Sequence, residues 1–73
     1  MATGNETLRK YMKADAVAQL RDRPRNYHLL IEDLVSAWSQ GRPRQYQAWL
    51  SLSELQADGL VVVDGITIRL QGE

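Results

Sequence analysis

Four polar side chains stand close together in this sequence: Arg42, Arg44, Gln45 and Gln47. An arginine guanidinium can hydrogen-bond in paired fashion to guanine, and a glutamine amide to adenine. The same residue types serve equally well at a solvated helix start, so type alone does not separate the two readings. Interleaved with them are Tyr46, Trp49 and Leu50. A tryptophan left on a surface suggests a protein contact, because aromatics are enriched among the side chains that dominate interfaces. Enzymatic chemistry has little to work with. The chain has one histidine (His28), no cysteine and no cluster of carboxylates at metal-ligand spacing. It carries no glycine-rich phosphate loop and no Ser-x-Gly elbow. His28, beside Tyr27, reads as structural. No catalytic residue, cofactor, metal site or small-molecule substrate is expected, and 73 residues leave little room for a pocket that excludes water.

The elements that must position these residues are read from periodicity. Residues 41–70 form a helix, a stop, a strand, a two-residue turn and a second strand. Ala48, Leu52 and Leu55 follow i, i+4, i+7 on one helix face, with the small Ser51 on the same side. Trp49 falls about 100° from that direction, so it either closes the edge of the core or stands exposed. Tyr46, four residues before Leu50, either faces the core or is free to stack on a partner. Gly59 is the expected helix stop, because the residue after a helix commonly takes a positive φ that glycine adopts without a Cβ penalty. Leu60 to Val63 is apolar and mostly β-branched. Asp64-Gly65 is the expected two-residue hairpin turn, since a type I′ turn needs positive φ at both central positions. Ile66 to Leu70 then alternates as a half-buried strand should.

Upstream, residues 1–5 are small and polar and are expected to be disordered. Thr3 or Asn5 can cap a first helix starting near Glu6. Leu8, Met12, Ala16 and Leu20 recur at helical spacing, with Tyr11 and Val17 alongside. The opposite face, with Arg9, Lys10, Lys13, Asp15 and Gln19, is expected to be solvated. Pro24 disfavours α geometry in the residue before it, which puts a boundary at Arg23. Arg21, Arg23 and Arg25 read as a solvated loop unless the fold brings them beside Arg42 and Arg44. Tyr27-His28-Leu29 suits a very short strand; alternatively, Asn26 caps a longer helix from Tyr27. Ile31, Leu34, Val35 and Trp38 then mark a second amphipathic helix, with Trp38 in the core and Glu32 and Asp33 in a first turn where the dipole favours them. Ser39 to Pro43 is a turn, with Gly41 free to take positive φ and Pro43 suited to the next helix start. Two short helices joined in this way make a helix-turn-helix unit.

Composition sets bounds on the function. A chain of 73 residues is one domain, expected over residues 6–71, with a small core. No disulfide can form, no apolar run approaches a membrane span, and no secretory signal is visible, so the cytoplasm is the expected compartment. Net charge is zero, whereas nucleic-acid binders usually carry a basic excess or a basic face. The charge is unevenly spread. Residues 1–52 hold eight basic and five acidic residues, and residues 53–73 hold one basic and four acidic. A basic patch would therefore exclude the C-terminal hairpin.

The run LSELQADGLVVVDGITIRL, residues 52–70, resembles the closing segment of winged-helix regulators such as the DNA-binding domain of the cyclic-AMP receptor family. There a recognition helix ends in a leucine, polar residues, a glycine and an aliphatic residue, followed by the wing. Leu52, Leu55, Gly59 and Leu60 match those positions, with Ile66 and Ile68 in the second wing strand. The resemblance covers the last half of the chain by motif and the first half by pattern. It implies a small α+β winged helix-turn-helix: three helices, a C-terminal two-stranded β-hairpin and a short third strand. It also implies double-stranded DNA as the partner, for transcriptional regulation. Helix three would lie in the major groove, with Arg42, Arg44, Gln45 and Gln47 as contacts and Arg42 on phosphate. One such domain makes few phosphate contacts, so a homodimer or a protein partner is expected. Three features depart from the pattern. Trp49 and Leu50 replace small, polar or basic residues; Asp64 stands at the tip of a minimal wing; Glu54 and Asp58 flank the later part of helix three. They point to weak or partner-dependent DNA binding. They also favour a second reading on the same scaffold, a protein–protein adaptor using Tyr46, Trp49 and Leu50.

Overall fold

A computed structural model describes residues 3–38 and 45–72. In chain order the elements are α1 (Thr3–Asp22), β1 (Arg25–Asn26), α2 (Tyr27–Trp38), α3 (Gln45–Ala57), β2 (Val61–Asp64) and β3 (Thr67–Leu70). The strands form one antiparallel sheet in the order β1-β3-β2. This is the expected α+β architecture, three helices with a C-terminal hairpin and a short third strand. The turn expected at Ser39 to Pro43 lies outside the described residues.

The core lies where the three helices meet the sheet. Met12, Ala16 and Leu20 come from α1, Leu30 and Leu34 from α2, and Ala48, Leu52 and Leu55 from α3; Val61 and Ile68 close it from the sheet. Each large side chain buried in this way stabilises the fold by about 1.5–3 kcal/mol. Among the described residues, Ser51 is the one polar residue buried with them, and its hydroxyl donates to the Gln47 carbonyl one helical turn earlier, at 2.8 Å. That bond satisfies the hydroxyl, which also lies 3.8 Å from the Met12 sulfur on α1.

Several local expectations shift. α1 starts at Thr3 rather than near Glu6, so Thr3 and Asn5 lie inside the helix. Of the two alternatives around Asn26, the helix is realised: Tyr27, His28 and Leu29 open α2 and form no strand. The strand sits two residues earlier than Tyr27, at Arg25–Asn26, and Asn26 Oδ1 accepts from the Leu29 amide at 3.1 Å as the cap of α2. The buried line of α2 runs through Leu30 and Leu34, with Ile31, Val35 and Trp38 half-buried beside it. Trp38 covers the α1–α2 seam instead of filling the core. Its ring stacks on Tyr11 at 5.4 Å, and its Nε1 donates to Asp15 Oδ2 at 2.8 Å.

The C-terminal half follows its punctuation. Gly59 has φ 77°, Leu60 N donates to Leu55 O at 2.9 Å, and Gly59 N donates to Gln56 O at 3.0 Å. This pair of bonds is the Schellman ending of a helix. The hairpin turn is one residue later than Asp64-Gly65. Asp64 pairs with Thr67, so the two-residue loop is Gly65-Ile66, with Gly65 at φ 65° in the first central position. Either hairpin turn type needs positive φ there. The physical reason for the shift lies in the third strand. Tyr27 N donates to Ile66 O at 2.7 Å, and β1 pairs Arg25 with Ile68 and Asn26 with Thr67. With Ile66 held at the tip, Val63 opposes the buried Ile68 and Val61 opposes Leu70 on the inner face of the sheet.

The outer face of the third helix and its seam with the first

α3 lies alongside α1 and runs in the same sense, because successive pairs advance together. Arg9 Nη1 donates to Gln47 Oε1 at 2.7 Å, Met12 packs at Ser51, and Lys13 Nζ lies 2.8 Å from Glu54 Oε1. Arg9 Nε reaches the other Glu54 oxygen at 3.1 Å. Two cations thus hold one carboxylate. The hydrogen bond from Lys13 lowers the Glu54 pKa most, with the charges of Lys13 and Arg9 adding to it and desolvation opposing. The α1 face expected to be solvated is therefore engaged. Its later part is engaged too: Gln19 Nε2 donates to Asp33 Oδ2 at 2.8 Å, and Arg25 Nη1 donates to Gln19 Oε1 at 2.6 Å. No local pattern announces these contacts, since Arg9 and Gln47 lie 38 residues apart.

The candidate contact residues separate on this frame. Arg42 and Arg44 lie outside the described residues, as does their distance from Arg21 and Arg23. Gln45 is exposed at the first position of α3. Gln47 is half-buried, with its amide oxygen taken by Arg9. Tyr46 is 66% exposed and Trp49 48%, which answers the open question about Trp49: it stands on the surface. The two rings stack at 6.0 Å with 21° between their planes, as residues three apart on a helix can. Leu50 is half-buried at the edge of this pair. From Gln45 to Ala57 the helix carries no lysine or arginine, and its one acid is Glu54.

The β2–β3 hairpin adds little charge. Asp64 is exposed, and Ile66, not a cation, occupies the turn tip at 62% exposure. Arg69 is half-buried in β3. Among the described residues no three His, Asp or Glu side chains come together as a metal site needs, and no helix is long and apolar enough to cross a membrane. No protein-family model, curated protein or solved structure matches the chain.

Proposed function

We propose that this chain binds double-stranded DNA in the manner of a cytoplasmic transcriptional regulator, with α3 in the major groove. The observation that carries this reading is the placement of α3. It packs its inner face on α1 and the sheet, and leaves Gln45, Tyr46 and Trp49 exposed directly after Arg42 and Arg44 in the chain. In such domains the N-terminal residues of the second helix of the unit reach base edges, and the preceding turn meets phosphate. Gln45 is the base-reading candidate on α3, because Gln47 is committed to Arg9. Apolar rings such as Trp49 can pack against thymine methyl groups. Glu54 does not oppose the approach of phosphate as a free acid would, because Arg9 and Lys13 both hold it.

Binding to a generic duplex is expected to be weak, on the order of 10⁻⁴–10⁻⁶ M at physiological salt. The test is the salt dependence of duplex affinity for the wild type and for Arg42→Ala/Arg44→Ala. If both arginines meet phosphate, the logarithmic salt slope of the variant flattens by about 2 while its melting temperature holds. An unchanged slope and affinity in the variant would remove the assignment.

A second reading has one specific observation behind it. The exposed Tyr46–Trp49 stack sits on a helix without a cation of its own. A protein–protein adaptor using Tyr46, Trp49 and Leu50 would account for that pair, and it predicts no response to duplex at any salt.

A further inference from the structure

The α1–α3 seam changes character along its length. At its start it is polar and closed, where Arg9 and Lys13 meet Gln47 and Glu54. Toward the helix ends it opens into a groove of about 380 Å³. Its apolar lining comes from Ala14 and Val17 on α1, Leu55 on α3, and Leu60 just beyond the Gly59 stop. Leu60 is 52% exposed, although the Schellman ending fixes its backbone at 2.9 Å from Leu55 O. A large aliphatic side chain is therefore held open to solvent by a rigid turn. Arg21 stands on the α1 side of this groove and Asp58 on the α3 side. Both are exposed, and among the described residues neither has an ion-pair partner. Lys13 also borders the groove, but its Nζ is committed to Glu54.

We propose that this groove seats a second copy of the chain, in a two-fold dimer. Leu60 of each protomer packs against the groove of the other, and Arg21 of each protomer faces Asp58 of its partner. The choice of occupant rests on charge complementarity. One wall offers a cation and the other an anion. A two-fold axis that lays the α1 wall of one copy on the α3 wall of the other therefore satisfies both, and does so twice. An apolar centre with charges at the rim is also the usual anatomy of an interface. The chain carries no net charge, so no long-range repulsion opposes self-association. The groove lies at the far end of α3 from Gln45 and Tyr46, which leaves the proposed DNA face open in the dimer. The dimer does not depend on the DNA reading.

The test is sedimentation equilibrium of the full chain without DNA, at low salt, from micromolar to millimolar concentration. The wild type is expected to show a reversible monomer–dimer equilibrium. Arg21→Glu and Asp58→Arg each place like charges across the two-fold, and each should weaken the dimer by at least about tenfold. Both positions are exposed, so thermal melting should confirm that each variant folds. The combined Arg21→Glu/Asp58→Arg chain restores opposite charges and should recover the dimer to within about threefold of wild type. A wild type that stays monomeric to millimolar concentration would overturn the proposal and leave the groove to another occupant. So would a dimer indifferent to either single change, or one that the combined change fails to restore.

Discussion

The inner and outer faces of α3 are built by different rules. Ala48, Ser51, Leu52 and Leu55 on the inner face are buried against α1 and the sheet, and each is sized by what it meets. Ser51 is the polar member of this face, and its hydroxyl is taken up by Gln47 O and lies against the Met12 sulfur. Gln45, Tyr46 and Trp49 on the outer face are exposed, and nothing in the fold requires a tyrosine and a tryptophan there. Between the faces runs a polar margin, Gln47 and Glu54, fixed to α1 through Arg9 and Lys13. Position on a helix decides whether a large aromatic residue is held by the fold or left on its surface. Trp38 and Trp49 make the contrast within one chain. Trp38 stacks on Tyr11 and hydrogen-bonds Asp15 across two helices, whereas among the described residues Trp49 stacks only on its helix neighbour Tyr46.

The sharpest way to break this contrast is a pair of truncations read by chemical denaturation. Leu52→Ala on the inner face should cost about 2–5 kcal/mol, a large part of the total stability of a small domain. Trp49→Ser on the outer face removes a larger side chain and should cost below about 1 kcal/mol. Equal losses would mean that the outer face is part of the core.

A smaller effect is expected at the margin. The Glu54 pKa is lowered in the folded chain, chiefly by the Lys13 hydrogen bond, so its ion pairs stabilise the fold above the ordinary carboxylate pKa. That contribution is lost as pH falls through the lowered folded value. Glu54 is 40% exposed, so screening by water keeps the contribution modest. Glu54→Gln should flatten the acid side of the stability–pH curve and leave the two proteins nearly alike at the acid end. An unchanged curve would show that the seam gains nothing from Glu54 ionisation.

How much of this was legible depended on the range of the interaction concerned. The inner face of α3 and its Gly59 ending follow from spacing and glycine chemistry within a few residues, and both stand as expected. The hairpin was legible as an element but not in its loop. Gly65 fits either Asp64-Gly65 or Gly65-Ile66, and the choice is made by pairing with β1 and Tyr27, about 40 residues earlier in the chain, beyond the reach of local turn rules. The polarity of α1 suggested solvent, because a charged stripe looks the same whether it faces water or a distant Glu54. The angle of Trp49 sits at the edge of the buried arc, where pattern alone does not decide between core and surface.

The proposed DNA contact lies on the outer face at the start of α3. The most direct measurement is an amide chemical-shift titration of the labelled protein with a generic duplex at low salt, repeated near physiological salt. Shifts are expected over residues 41–50, weakening as salt rises, while the resonances of Leu52, Leu55 and Ile68 stay still. A spectrum that does not move at low salt, or one that moves only away from α3, would contradict the proposed contact.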